Sequence, residues 1–170
     1  PSELACSWDN VGLLVDVGVP VSHVLTTLDI TAAVVQEAVE NDCQLIVSHH
    51  PVIFDPLKHI SAGDVPALLI KNNISAICMH TNLDAAPGGG AGGSYLQEAI
   101  DAGADCLVTG EAAHHIALLA KQKGVGLVVS GHWGTEHGIA DVLAAHIASS
   151  FPALTVRHAA ADRDPYSYLL

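Results

Sequence analysis

Short apolar runs rich in β-branched residues alternate along this chain with longer segments whose apolar residues recur at helical spacing. This alternation is typical of βαβ units, in which a helix connects two parallel strands. We therefore expect an α/β fold, with a mostly parallel or mixed sheet flanked by helices. The predicted strands are Val24–Asp29, Leu45–Ser48, Ser75–Met79, Cys106–Thr109, Leu127–Ser130 and Leu154–Arg157.

Capping residues locate the helices between these strands. Thr31 and Asp64 are suitable N-caps for the first two helices. Ser94, with Gln97 three residues later, predicts a capping box, and Gly124 is a typical residue at which a helix ends. The last three helices are predicted over Tyr95–Ala102, Glu111–Lys123 and Thr135–Ser150.

Length and charge narrow the class of protein. A chain of 170 residues, half of them apolar, is long enough for one core, so we predict a single domain over residues 1–170. Eighteen acidic against six basic residues give a formal charge of -12, which argues against binding to nucleic acid or to an anionic membrane. No apolar run approaches the roughly 20 residues that span a bilayer. The four cysteines form no C-x-x-C pair, and we expect buried free thiols in a soluble, cytoplasmic protein.

Polar clusters directly follow four of the predicted strands. Because the carboxyl ends of parallel strands share one edge of a sheet, we expect these clusters to converge there and form a site. The junctions Thr109-Gly110-Glu111 and Ser130-Gly131-His132 look alike, which indicates two related halves. The clusters contain His49 and His50, then His80 and Asp84, then Glu111, His114 and His115, and finally His132 and Glu136.

Metal binding is the chemistry that these clusters favour. His49 and His50 would point to opposite faces of a regular strand, but in a loop both can turn toward one centre. His132 and Glu136 are four residues apart, which places them on one face of a helix. Burying several histidines and carboxylates is costly unless metal or hydrogen bonds compensate, and bridging carboxylates suit two metals about 3.5 to 4 Å apart. The predicted ligands are His49, His50, Asp84, His132 and Glu136, with Glu136 or Asp84 as the bridge.

Each signal also has a simpler interpretation when it is taken alone. The histidine pair resembles a surface or capping pair, and Asp84 resembles a turn residue bonded to its own backbone. The spacing of His132 and Glu136 is common by chance. The combination of clusters, rather than any one of them, therefore supports the metal site.

Three other features of the sequence bear on function. The glycine-rich stretch over residues 88–93 is not a P-loop, because no Gly-Lys-Ser/Thr follows it. It is either a flexible connection or the approach to an anion site at the Ser94 helix start. Trp8 is expected in the core, while Trp133 is expected to line the site cavity, and either ring could pack on a base. No serine lies in a nucleophile elbow.

Five motifs in a fixed order extend over nearly the whole chain: Ser7–Leu13; His49-His50-Pro51 with Phe54; His80–Ala86; Thr109-Gly110-Glu111 with His114-His115; and Gly131-His132 with Thr135-Glu136. In these motifs the sequence resembles the GTP cyclohydrolase I type 2-like dinuclear metal-centre proteins, also called NGG-interacting-factor-three-like. The resemblance implies an α/β fold and two divalent metal ions (Zn, Fe, Mn, Co or Ni) held by the five predicted ligands. It also implies that His80, Glu111, His114 and His115 line the same cavity, in a toroidal homohexamer built as a trimer of dimers.

The family label implies a metal-dependent hydrolase of purine nucleotides, in which a metal-bound hydroxide attacks the imidazole carbon of guanine and releases formate. His80 is the candidate for proton transfer, with Glu136 as the second catalytic residue. The alternatives are a metal-dependent phosphoesterase and a non-enzymatic metal-binding or regulatory partner protein.

One departure from the family concerns the middle of the chain. Members of the family carry a further segment between the Asn-Leu-Asp and Thr-Gly-Glu motifs, and here the two motifs are close together. We therefore expect that chain is missing near residues 89–91, through a deletion or through mobility. The predicted ligands all lie outside this region.

Overall fold

The computed structural model describes residues 2–84 and 92–167, which form two compact units. Unit 1 contains Pro1–Ala86 and His137–Arg163, and unit 2 contains Pro87–Glu136 and Asp164–Leu170. The expected break near residues 89–91 lies outside the described residues. The single domain over residues 1–170 stays a prediction.

Unit 1 is built on a five-stranded mixed sheet with the strand order β1-β4-β3-β2-β7. All neighbouring strands run parallel except β1, which pairs antiparallel with β4. The strands are β1 (Gly12–Val15), β2 (His23–Thr27), β3 (Leu45–Ser48), β4 (Ser75–Cys78) and β7 (Thr155–His158). The helices are α1 (Ala32–Glu40), α2 (Val65–Lys71), α3 (Thr81–Asp84) and α7 (Ile139–Ser150), with a 3-10 helix at Ser2–Leu4.

Successive strand residues of unit 1 pack into two different hydrophobic clusters. Leu25 and Ile46, both fully buried, pack with the buried side of α1 and α2. Val24 and Val47 pack instead with Leu143 of α7. This alternation is the two-residue period of a strand, and burial of both faces explains why the strands read as continuous apolar runs.

Unit 2 contains two parallel strands that pair with each other, β5 (Cys106–Thr109) and β6 (Gly126–Val129). Its helices are α4 (Leu96–Asp101), α5 (His114–Lys123) and α6 (His132–Glu136), and a 3-10 helix covers Gly92–Tyr95. The C-cap of α5 is Gly124, which adopts φ 72°, a left-handed conformation that glycine accepts without steric cost.

The predicted fold class is confirmed, because the structure is α/β with a mostly parallel five-stranded sheet flanked by helices. The Thr31 cap is also confirmed, since its side chain accepts a hydrogen bond from the Val34 amide at 3.2 Å. The Asp64 cap position is correct, although this side chain bonds the Ser61 amide instead of the helix.

Three sequence-based assignments differ from the structure. Strand β1 was not predicted. The capping box is absent, because α4 begins after Tyr95 and the Gln97 amide donates to Asp101 instead. The helix predicted over Thr135–Ser150 is two helices, α6 and α7, separated at residues 137–138, where the glycine lowers helix propensity.

Within the described residues, no helix has both the length and the apolar character that a membrane crossing requires.

Candidate metal centre

Three histidines of unit 1 lie together where β3 and β4 end. His49 and His50 follow the last residue of β3, and His80 lies two residues beyond the end of β4. The ring centroids of His49 and His50 are 5.1 Å apart, and those of His80 lie 5.3 and 5.5 Å from them. One ligand atom from each of the three lies within 4.8 Å of the other two, so the cluster has the dimensions of a metal site.

Each of these imidazoles has its Nδ1 atom beside an oxygen acceptor. His49 Nδ1 is 2.8 Å from the carbonyl oxygen of Met79, and His50 Nδ1 is 2.8 Å from Asp29 Oδ1. His80 Nδ1 is 2.8 Å from Asp9 Oδ1. A carbonyl or an ionised carboxylate can only accept, so the proton belongs on Nδ1 and Nε2 keeps the lone pair that binds metal. Such outer partners are typical of histidine ligands, whose orientation and basicity they set.

Asp9 is the most enclosed of these partners, because its side chain is fully buried. Its Oδ2 accepts hydrogen bonds from the backbone amide and the hydroxyl of Thr81. Burial raises the pKa of Asp9, but the bonds from Thr81 and His80 outweigh it and hold the pKa below its ordinary value. The carboxylate therefore stays ionised and fixes the His80 ring.

Asp84 ends α3 and adds a carboxylate to the histidine cluster. Its Oδ1 lies 3.5 Å from His49 Nε2, a long separation for a hydrogen bond. Two ligand atoms that each lie roughly 2.0 to 2.2 Å from one zinc ion in tetrahedral geometry are separated by a similar distance. The spacing of this pair thus suits a shared ion better than a direct contact.

The nearby thiol of Cys78 is not part of the ligand set. Burial, with a smaller contribution from the Asp9 charge, raises the pKa of Cys78 to about 12. Its Sγ donates to the carbonyl oxygen of His49 at 3.0 Å. A thiol that stays protonated is a poor ligand, so the donors available in unit 1 are nitrogen and oxygen.

Unit 2 contains a second histidine–carboxylate group. His132 and Glu136 begin and end α6, and His132 Nε2 lies 2.6 Å from Glu136 Oε2. The other ring nitrogen, Nδ1, is 3.4 Å from Glu111 Oε2. The Glu136 side chain is 6% exposed and that of Glu111 is 52% exposed, so the inner carboxylate is the one sheltered from water.

The other residues that were predicted to line the cavity lie at different positions in unit 2. His114 and His115 are exposed at the start of α5, and Trp133 is half-buried in α6. His115 and Glu111 line a cavity of about 340 Å³ with Gly93 and Ser94. The sequence did not reveal the roles of Asp9 and Asp29 as histidine partners. The only signals in the sequence were that Asp9 lies in the first family-like motif and that Asp29 was predicted to end a strand.

The fold and these groups define the class of protein: an α/β protein with candidate metal ligands placed just after its strands. The chain belongs to the Duf34/NIF3 (NGG1p interacting factor 3) family, whose family model matches residues 1–90 and 88–165.

Relatives and solved structures agree with this membership. A Staphylococcus aureus protein named GTP cyclohydrolase 1 type 2 homolog is 48% identical over 93 residues, which cover 52% of this chain and 25% of the relative. The chain therefore matches only a quarter of the length of such curated relatives. The crystal structure of a Staphylococcus aureus hypothetical protein superposes with a TM-score of 0.90 at 26% identity, covering 99% of this chain and 95% of that one. A Bacillus cereus protein related to NIF3 has the same fold, with a TM-score of 0.86 at 18% identity, covering 99% and 95% of the two chains.

Proposed function

We propose that this protein binds two divalent metal ions and uses them to hydrolyse a purine nucleotide. The ligands we assign are those expected from the sequence: His49, His50, Asp84, His132 and Glu136. The observation that most supports metal binding is the clustering of His49, His50 and His80, whose ligand atoms lie within 4.8 Å of one another and whose Nδ1 atoms each lie beside an oxygen acceptor. A set of imidazoles and carboxylates without thiolate fits Zn, Fe, Mn, Co or Ni.

The catalytic roles follow from the protonation states of the side chains. When bound, a metal pair supplies a Lewis acid and lowers the pKa of water, which makes hydrolysis possible near neutral pH. His80 is assigned to proton transfer, because Nδ1–H donates to Asp9 and Nε2 can take up and return a proton. The buried Asp9 carboxylate stabilises the imidazolium that forms. Glu136 has two carboxylate oxygens, so one can bind metal while the other accepts a hydrogen bond.

The substrate class rests on the resemblance and on the name of the relatives. In the chemistry of a GTP cyclohydrolase, one water adds to the imidazole carbon of guanine and opens the ring to a formamide, and a second water hydrolyses the formamide to an amine and formate. The name belongs to curated relatives of which this chain matches a quarter, and we extend the substrate class that it states to the present chain as part of the proposal.

Product analysis tests the proposal directly. Metal-loaded protein is incubated with guanosine, adenosine and pyrimidine nucleotides, and products are identified by mass spectrometry. We expect ring-opened purine and formate, and no product from a His132→Ala variant. His146→Ala is the matched control, because His146 is exposed on α7. Phosphate release without ring opening would indicate a phosphoesterase, and no turnover by any sample would indicate a non-enzymatic metal-binding protein.

We also propose that the protein is cytoplasmic and assembles as a homohexamer, a trimer of dimers with closed symmetry. The proposal for the assembly rests on the family resemblance. Light scattering at micromolar concentration should give six times the mass of the chain, and a monomer would contradict the assembly.

A further inference from the structure

Trp8 and Phe54 lie beside His80 and remain exposed. The chain has two tryptophans and two phenylalanines, and one of each is found at this point. Trp8 is 60% exposed and Phe54 is 50% exposed, so the prediction that Trp8 packs in the core is wrong. Their ring centroids are 6.0 Å apart with the planes inclined by 39°. Both rings contact His80, with centroid separations of 6.1 and 6.4 Å.

The backbone around both rings is tied to the histidine cluster. On one side of Trp8, the Cys6 amide donates to the Thr81 hydroxyl at 2.9 Å; on the other, Asp9 is bonded to His80 and Thr81. The Asn10 side chain donates to the carbonyl oxygen of Ile53, which precedes Phe54, at 2.6 Å. The two aromatic side chains are therefore presented on segments that are already ordered, which lowers the entropy cost of binding.

A single exposed apolar side chain needs no explanation, but this pair differs in three ways. The two rings touch each other, they contact a residue of the candidate site, and hydrogen bonds fix their segments. Aromatic side chains placed in this way next to polar groups bind planar rings by stacking, which accepts any base because every base has a π-face.

We propose that Trp8 and Phe54 form an aromatic platform that binds the planar heteroaromatic ring of the substrate, a purine base, beside the metal ligands. This inference deepens the proposed function and rests on it for the identity of the ring. The platform holds the base by its face and gives affinity for the ring, while the metal ligands act on the reacting atoms.

The test compares ligands with and without the base. Equilibrium dialysis measures the binding of guanosine 5′-monophosphate and ribose 5-phosphate to zinc-loaded wild-type protein and to Trp8→Leu, Phe54→Leu and Phe151→Leu variants. Phe151 is the matched control, since it is 60% exposed at the C-terminal end of α7 in the same unit. Zinc content is measured in every sample, so that a lost ligand site is recognised.

We expect the wild-type protein to prefer the nucleotide, and Trp8→Leu to weaken its binding by roughly 5- to 150-fold, the effect typical of one lost base–aromatic stack. Binding of ribose 5-phosphate should not change, and Phe151→Leu should behave as wild type. Equal binding of the two probes by the wild type, or an unchanged preference in Trp8→Leu, would overturn the platform. The platform would also be overturned if Trp8→Leu changed the mass in sedimentation but not the binding of the nucleotide, because the rings would then be covered by a second copy of the chain.

The same samples separate this inference from the hydrolase proposal. Preference for the nucleotide without turnover supports the platform and rejects hydrolysis. Turnover with an unchanged preference in Trp8→Leu rejects the platform alone.

Discussion

Replacing Asp9 by asparagine tests whether an outer carboxylate controls the histidine cluster. The carboxylate accepts a hydrogen bond from His80 on one oxygen and two from Thr81 on the other. An amide of the same size accepts on one side only, so its NH2 group must face either Thr81 or His80. If it faces the ring, Nδ1 becomes the acceptor and the proton moves to Nε2, which then cannot act as a base.

The expected loss can be given a magnitude. General acid–base catalysis by one side chain typically contributes about 100- to 10,000-fold to the rate, so turnover in Asp9→Asn should fall by a factor in that range. Hydrogen bonds to charged groups contribute about 1.5 to 3 kcal/mol to folding, so the metal-free variant should also unfold at lower urea concentration. Turnover of the metal-loaded protein is measured by product analysis, and stability by urea denaturation after treatment with EDTA.

Asp16→Asn is the matched control, because Asp16 is exposed and its carboxylate accepts only from the Gly18 amide among the described hydrogen bonds. Turnover by Asp9→Asn equal to that of Asp16→Asn would refute the reasoning. The pH dependence gives a second check. The pKa of Asp9 is lowered in the folded protein, so its ionised carboxylate stabilises the fold. This contribution to the free energy of unfolding is complete above the ordinary pKa of about 3.9 and is lost as the pH falls through the pKa of the folded protein. The difference in unfolding free energy between the wild type and Asp9→Asn should therefore be constant near neutral pH and shrink in acid.

Two further predictions concern packing and thiol chemistry. Leu143→Ala should lower the free energy of unfolding by roughly 2 to 5 kcal/mol in urea denaturation, since Leu143 is 3% exposed between α7 and the sheet. Val142→Ala, at a position 59% exposed on the same helix, should change it by less than about 0.5 kcal/mol, and equal losses would contradict the assignment of the core. Cys6 and Cys106 are exposed, so the expectation of buried thiols is wrong for these two. Iodoacetamide at pH 8 should label them in the native protein and leave Cys78 unmodified, because its pKa of about 12 keeps it a thiol. Mass spectrometry of the labelled peptides reads the result, and equal labelling of Cys78 would contradict that protonation state.

Of the strands of unit 1 that the sequence predicted, β2, β3 and β4 are buried on both faces, while the edge strand β7 is exposed on one face. Strands buried on both faces appear in the sequence as continuous apolar runs, which can be recognised without knowing which strands pair with them. Strand β1 gives a weaker signal, because it begins at Gly12 with φ 98° and exposes Leu13 at the antiparallel edge of the sheet. The separate pairing of β5 with β6 depends on contacts distant along the chain, which local patterns do not encode.

The proximity of the candidate ligands was predictable where they are local in sequence, and their role as ligands stays a prediction. The adjacent His49 and His50, and the i, i+4 spacing of His132 and Glu136, both correspond to close groups in the structure. The partners of the histidines are not local. Asp9 and His80 are 71 residues apart with four strands between them in the sequence, so only the folded chain shows which nitrogen carries the proton.

Metal stoichiometry tests the central claim most directly. Plasma mass spectrometry of purified protein, dialysed near neutral pH, should give about two divalent ions per chain, as expected for a dinuclear site. The His49→Ala and Glu136→Ala variants, one from each unit, should each contain less metal, while His146→Ala should match the wild type. Wild-type protein that takes up no divalent metal when supplied with it, or full metal content in both ligand variants, would contradict the account.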